Sequence, residues 1–161
     1  MGKPLISNII VAVNGSDASI LAAEYAIVLA KENQCRLNAV YVVNEAAVRR
    51  LALNKLLARE ESEEYENDLE ATGKRYLHYV KELSDAKSVE VELEVRKGAV
   101  STEILAAADE KEADLIILGA WEKNKNPRDI ITASYREIMT NAKCSVLLVK
   151  EPLIEQIYKF A

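Results

Sequence analysis

Asn8-Ile-Ile-Val-Ala-Val-Asn14, followed at once by Gly15-Ser16-Asp17, decides the fold class. From Ile9 to Val13 every side chain is apolar, so this strand has no wet face. A strand apolar on both faces belongs inside a sheet covered by helices above and below, which is the setting of parallel sheets. Gly15 supplies a tight turn, and Ser16 or Asp17 supplies the cap of a following helix. That helix is expected to run to about residue 32. Ala23, Ala26, Ile27 and Ala30 recur there with helical spacing and form a stripe of mostly small side chains for close packing on the sheet.

The same alternation of strand and helix continues outward. Leu37-Asn-Ala-Val-Tyr-Val-Val43 reads as the second strand, followed by a long helical region over 45–85. Residues 60–70 within it are mostly acidic and read as a solvated helix face or a mobile loop. Gly73 is placed to interrupt the helix. Val89-Glu-Val-Glu-Leu-Glu-Val95 alternates throughout, with Val89, Val91, Leu93 and Val95 on one face and Glu90, Glu92 and Glu94 on the other. A strand wet on one face belongs at a sheet edge, where carboxylates discourage wrong pairing. Gly98 ends it, and a helix over 101–111 buries Ile104, Leu105 and Ala108. Asp114-Leu-Ile-Ile-Leu-Gly119 is the fourth strand, a polar loop covers 120–128, and one helix spans 129–141 with Ile131, Ser134, Tyr135 and Ile138 on a stripe. Ser145-Val-Leu-Leu-Val-Lys150 is the fifth strand. After it, residues 151–161 form a short tail whose Leu153, Ile154, Ile157 and Tyr158 can share one helical face and dock on the domain or on a partner subunit.

The chain has 161 residues, enough for one domain with a sizeable core, here residues 1–150 plus the tail. The formal net charge is −5, which argues against nucleic acid as a partner, because phosphate counterions are displaced by a basic surface. No apolar stretch approaches the roughly 20 residues of a membrane span. The first residues lack the apolar core of a secretory signal, and Cys35 and Cys144 fit no metal or redox spacing. They read as buried free thiols in a reducing compartment, and the expected localisation is cytoplasmic. With one histidine besides, zinc ligation is not expected.

Alternating strands and helices with right-handed crossovers give an α/β domain with a single doubly wound, mostly parallel five-stranded sheet and helices on both faces. Ligands in such folds sit beyond the carboxyl ends of the strands, at the point where strand order reverses. The loops that can line that crevice are Asn14-Gly15-Ser16 and the one beginning at Gly119.

Particular residues narrow the reading. Ile10-Val-Ala-Val-Asn-Gly-Ser-Asp-Ala-Ser19, Tyr41-Val42-Val43, Arg96-Lys-Gly98, Ile104-Leu105-Ala106, Ala113-Asp114-Leu-Ile-Ile-Leu-Gly119 and Ser145-Val-Leu-Leu-Val149 occur in the order and spacing of the universal stress protein family. The resemblance covers about residues 5–150. It implies the Rossmann-like, adenine-nucleotide alpha hydrolase-like architecture with strand order 3-2-1-4-5.

That family divides into members that bind ATP and members that do not. The ATP-binding pattern is Gly, two residues, Gly, nine residues, then Gly-Ser or Gly-Thr. Its glycines let backbone N–H groups approach phosphate oxygens, and its last residue opens a helix whose amino end favours anions. This chain resembles the pattern only in part. Gly119 stands at the first position, Glu122 replaces the second glycine, and ten residues rather than nine lead to Ala133-Ser134 in place of Gly-Ser. Asn14 stands where the ATP binders have Asp. Glu122 brings negative charge to a phosphate loop, Ala133 adds a Cβ at a close approach, and Trp121 adds bulk. Lys123, Lys125 and Arg128 either restore some anion affinity or simply solvate an exposed loop. ATP binding in the usual family manner is therefore not expected, and no cofactor is expected.

Catalytic readings find little to stand on. His78 lies in the helical region without a Ser or Cys partner, so nucleophilic catalysis is not expected. Neither a P-loop nor G-x-G-x-x-G occurs. A phosphorylatable receiver site is absent as well, because Asn14 and Arg96-Lys97-Gly98 stand where acidic residues are needed. The expectation is a non-enzymatic stress-response protein acting as a homodimer through its last strand, with Val146, Leu147, Leu148 and Val149 near the two-fold axis, and with protein partners. The alternative is a regulatory sensor of ATP or AMP, in which Asn14 and Val42 meet the base and ribose and Gly119 and Ser134 the phosphates. An accessory domain of a transporter or kinase is a third class.

Overall fold

β1 (Asn8–Val13) lies at the centre of the sheet. The computed structural model describes residues 2–55 and 59–161. In it β1 pairs in parallel with β2 (Arg36–Asn44) on one side and β4 (Leu115–Gly119) on the other. β3 (Val91–Gly98) and β5 (Ser145–Val149) complete a five-stranded parallel sheet in the order β3-β2-β1-β4-β5, the order implied by the resemblance. The register brings Ile9 level with Leu37 and Leu115, and Val11 level with Ala39 and Ile117.

The alternation of side chains along β1 then builds two cores. Ile9, Val11 and Val13 face one layer of helices, α1 (Asp17–Asn33) and α3 (Arg59–Asp85). Ile10 and Ala12 face the other, α4 (Val100–Glu110) and α6 (Ala133–Asn141). Ile9, Ile10, Ile116 and Ile117 are fully buried. Each such side chain contributes about 1.5–3 kcal/mol relative to exposure, so the two central strands anchor the domain. The expected α1 stripe of Ala23, Ala26, Ile27 and Ala30 is buried against the sheet. Ser16 caps α1 by accepting a hydrogen bond from the Ser19 N–H at 3.1 Å.

The region 45–85 is helical as expected, in α2 (Glu45–Lys55) and α3 on either side of residues 56–58, which lie outside the described residues. Three local expectations need correction. Gly73 does not interrupt α3. It brings the helix against the Tyr41 ring of β2, where a Cβ would stand 2.4 Å from a ring carbon. β3 starts at Val91 rather than Val89, because the buried Ser84 holds Val89 in the preceding turn. The Ser84 hydroxyl donates to the Val89 carbonyl at 2.5 Å, and the Val89 N–H donates to the Ser84 carbonyl at 3.0 Å. Finally, the single helix expected over 129–141 is two. α5 (Pro127–Ile130) starts at the Asn126 cap and ends where Ile131 turns extended, and Thr132 then caps α6.

β3 occupies the edge, as its alternation requires. Val91 and Val95 pack on the core while Leu93 is 38% exposed. On its polar face Arg96 pairs with Glu94 of β3 and with Glu103 and Glu110 of α4. The acidic face of α3 is partly used: Glu66 and Glu70 pair with Lys97 of β3 at 3.8 and 3.0 Å.

At the amino end of the sheet Asp114 accepts from the Ser7 N–H at 2.9 Å, the Ser7 hydroxyl at 2.8 Å and the Asn8 N–H at 3.1 Å. These bonds, the Ser7 N–H first, hold its carboxyl below the usual aspartate range. A depressed carboxyl stabilises the fold above its ordinary value near 3.8, and that stabilisation is lost as pH falls below it. Asp114→Ala leaves these donors without their carboxylate and is expected to cost ~1–3 kcal/mol. Urea unfolding at pH 7 measures the loss. The gap from the parent should narrow as pH is lowered towards 3, and a gap that stays constant would contradict this account.

The chain ends in α7 (Ile154–Lys159), which packs on α1. Ile154 is buried, and the Tyr158 hydroxyl donates to the Leu83 carbonyl at 2.6 Å.

Candidate functional site

Strand order reverses between β1 and β4, so their carboxyl ends frame the crevice in which a doubly wound fold places its ligand. The residues there are mostly bonded to one another. Asn14 closes a turn: its Oδ1 accepts from the Ser16 N–H at 2.9 Å and the Ser16 hydroxyl at 2.5 Å, and its own N–H donates to the Ser19 hydroxyl at 3.2 Å. Gly15 follows at φ +82°, a conformation glycine adopts without strain, and the Tyr76 ring of α3 lies within 2.6 Å of where a Cβ would be.

Gly119 sits across from this loop. Val11 pairs with Ile117, which brings Gly119 level with Val13. Its hydrogen faces the first turn of α1, and a Cβ there would stand 2.1 Å from the Ala18 carbonyl oxygen. Helix-to-strand contact therefore requires this glycine whether or not a phosphate ever approaches it.

Glu122 is the decisive side chain. The sequence presents it as a charge that repels phosphate. In the structure it is also an anion already in place, 8% exposed, at the amino end of α1. Its Oε1 accepts from the Ala18 N–H at 3.0 Å, and its Oε2 pairs with the Lys125 ammonium at 2.7 Å. The Lys125 contact first, and the backbone N–H groups of Ala18 and Asp17 with it, hold the carboxyl below the usual glutamate range. Unsatisfied N–H groups and the helix dipole make this end of α1 attractive to an anion, and Glu122 meets that demand from within the chain. Lys125 is correspondingly committed to Glu122, while Lys123 and Arg128 lie exposed on the loop.

The third wall is α6. Thr132 accepts from the Tyr135 N–H at 3.3 Å, so part of this helix's amino end is also served internally. Ser134 is half-buried in the first turn. Next to it Tyr135 is 6% exposed and packed into the second core, with Asn14 and Glu122 among the groups near its phenol. Burial first, opposed by the Asn14 contact, pushes its phenol above the ordinary range, and the Glu122 charge adds to the rise. Val42 is half-buried one residue beyond the Val13–Tyr41 pair, level with Asn14 and beside Arg96. Asn14, Gly119 and the first turn of α6 thus meet at one place, with Val42 one strand away. Sequence reasoning missed Tyr135, counted only as a packing residue, and the internal role of Glu122. The spacing of Glu122 and Lys125 by three residues was the available signal.

Other candidates stay apart. His78 is exposed, 3.5 Å from Glu82. Cys35 and Cys144 are free but only half-buried, less than expected, each one residue before a strand at the margin of a core; burial raises both thiols. Among the described residues no cluster of His, Cys, Asp and Glu can hold a metal ion, and no helix is long and apolar enough to cross a membrane. A wide cleft of about 1030 Å³ lies at the amino ends of the strands, lined by Arg36, Lys81, Asp85 and Glu92 among others. Its charges are mixed and select no ligand class.

Residues 6–150 match the model of the universal stress protein family. The chain belongs to that family. A universal stress protein of Methanocaldococcus jannaschii is 32% identical over 151 residues, covering 94% of this chain and 86% of the relative. The solved structure of the universal stress protein UspA from Lactobacillus plantarum superposes with a TM-score of 0.76 at 25% identity, covering 92% of this chain and all of the other. A universal stress protein solved in complex with cAMP shares the fold, with a TM-score of 0.66 at 18% identity over 90% of this chain and 97% of that one.

Proposed function

We propose that this universal stress protein works without ATP, as a non-enzymatic homodimer that acts through protein contacts in the cytoplasm. The observation that carries the reading is the Glu122 carboxylate on the Ala18 N–H, closed over by Lys125. A triphosphate entering this end of the crevice meets a buried negative charge and a helix end already satisfied. Tyr135 is buried beside this end of the crevice and adds bulk to it.

The dimer reading rests on β5. It is an edge strand with Val146, Leu147 and Leu148 half-buried in one chain, and bare apolar edges invite pairing. Val149 is 2% exposed against the first core and offers only its backbone to such a seam. A dimeric mass by sedimentation at micromolar concentration is the expected result, and a monomer would count against this part.

One observation favours a second reading, in which the chain senses a nucleotide smaller than ATP. The fold-related protein solved with cAMP shows that this architecture accommodates a nucleotide without a triphosphate. Here Asn14 and Val42 would meet base and ribose, and Gly119 and Ser134 the single phosphate, with AMP as another ligand of that kind. Two measurements separate the readings. The purified protein is denatured and assayed for released nucleotide by mass spectrometry, and the emptied protein is titrated calorimetrically with ATP, AMP and cAMP. We expect no bound nucleotide and no heat at millimolar ATP. Near-stoichiometric ATP would overturn the main reading, and saturable AMP or cAMP binding alone would move the second one forward.

A further inference from the structure

We propose that Glu24 of α1 is a proton-operated latch for the C-terminal helix α7: protonated, it lets α7 lie on α1, and ionised, it drives α7 off.

The geometry is that of a carboxyl trapped beneath a short docked element. Glu24 is 5% exposed on the face of α1 against which α7 packs, and its Oε2 is fully buried without a hydrogen-bond partner. Glutamates are almost never buried this way unless paired, and an unpartnered ionised carboxylate in such a place is strongly disfavoured. Of the groups around it, Glu155 makes ionisation harder still. From α7 come the Glu155 carboxylate, which raises the Glu24 carboxyl by repulsion, and the Tyr158 phenol, itself raised by Glu24. From α3 comes Tyr79, which acts on Tyr158, and just beyond α3 lies Lys87, whose ammonium stands 4.8 Å above the Tyr158 ring. Lys87 donates to the carbonyls of Lys159 and Ala161 at 3.0 and 3.4 Å and so holds the end of the tail, not Glu24.

Burial first, and Glu155 second, push Glu24 from the ordinary 4.5 up to about 7. The direction of the pH effect follows. Below about 4.5 the acid is neutral whether or not α7 is docked, and docking has its full strength. Between there and about 7 an undocked Glu24 ionises while a docked one stays protonated, so docking weakens as pH rises. Above that range the docked acid ionises too and the loss levels off. The two limits differ by on the order of 10²-fold in the docking equilibrium. The other attachments, Ile154 in its pocket, Tyr158 on the Leu83 carbonyl and Lys87 on the terminal carbonyls, set the affinity on which the latch acts.

The experiment is amide hydrogen exchange of the full chain at pH 5 and pH 8, expressed as protection relative to an unstructured peptide. In the native protein the protection of α7 should fall ~10–100-fold at pH 8 while that of β1 and β4 holds. Glu24→Gln should keep α7 equally protected at both pH values, and Glu155→Gln should shrink the fall. Equal protection of native α7 at both pH values, or an undiminished fall in Glu24→Gln, overturns the proposal. If Glu24→Gln does not fold, the carbon-13 shift of the native Glu24 carboxyl decides. A midpoint near 7 that coincides with the loosening of α7 supports the latch, and a midpoint near the ordinary 4.5 refutes it.

Discussion

Gly119→Ala is expected to lower stability by at least the ~1–3 kcal/mol typical of overpacked sites, or roughly 2–12 °C in thermal midpoint for a domain of this size. The added methyl would lie 2.1 Å from the Ala18 carbonyl oxygen, 2.4 Å from its carbonyl carbon and 3.0 Å from the Ser19 nitrogen. All three are backbone atoms, so no side-chain rotation relieves the clash, and the first turn of α1 has to move. That turn is fixed by the Ser16 cap, by the Asn14 turn and by the Glu122 carboxylate on the Ala18 N–H. Displacing it strains all three. Gly73→Ala provides the contrast. Its methyl would meet the Tyr41 ring, 2.4 Å away, a side chain rather than backbone. An alanine in a helix is also favoured over glycine by about 1 kcal/mol, which offsets part of the clash. Chemical unfolding of both variants should therefore rank Gly119→Ala as the more damaging. An unchanged midpoint for Gly119→Ala would mean that this glycine is kept for an approaching ligand and not for packing.

The doubly wound sheet was legible because its evidence is local and repeated. Ile9–Val13 and Leu115–Leu118 are apolar on both faces, and the alternation of Val91, Leu93 and Val95 with glutamates marks an edge. Such patterns follow from backbone periodicity alone. What the sequence withheld depends on contacts between distant elements. Gly73 looks like a helix breaker until Tyr41, on a strand 32 positions earlier, is found against it. The break between α5 and α6 is set by Thr132 turning to cap the Tyr135 N–H, which a run of helix-compatible residues does not announce. The candidate site was legible as a location but not as a state. Asn14 and Gly119 stand at the carboxyl ends of β1 and β4, yet the partner of Glu122 is an N–H 104 positions away. A single sequence tells that a glycine is missing from a phosphate loop. It does not tell that the replacing carboxylate has taken up a position at the end of another helix.

Glu122→Gly is expected to give the chain an affinity for phosphate groups that the native protein lacks. Removing the side chain leaves the Ala18 N–H without its acceptor and Lys125 without its counter-charge. Without added anions the variant should lose ~1–3 kcal/mol, the usual consequence of an unsatisfied buried donor. The same change leaves a helix amino end and a free ammonium facing one space, the combination that attracts phosphate. Titration with ATP should then raise the variant's unfolding midpoint, recovering ~2.7 kcal/mol at a hundredfold excess over its dissociation constant, while the native protein stays unaffected. Glu122→Gln separates charge from shape. Its amide oxygen still accepts from the Ala18 N–H and still fills the space, so its loss should be smaller and ATP should not stabilise it. If ATP stabilises the native protein and Glu122→Gly alike, the carboxylate does not close the site. If it stabilises neither, the barrier lies elsewhere, with Tyr135 against Asn14 as the next obstruction to remove.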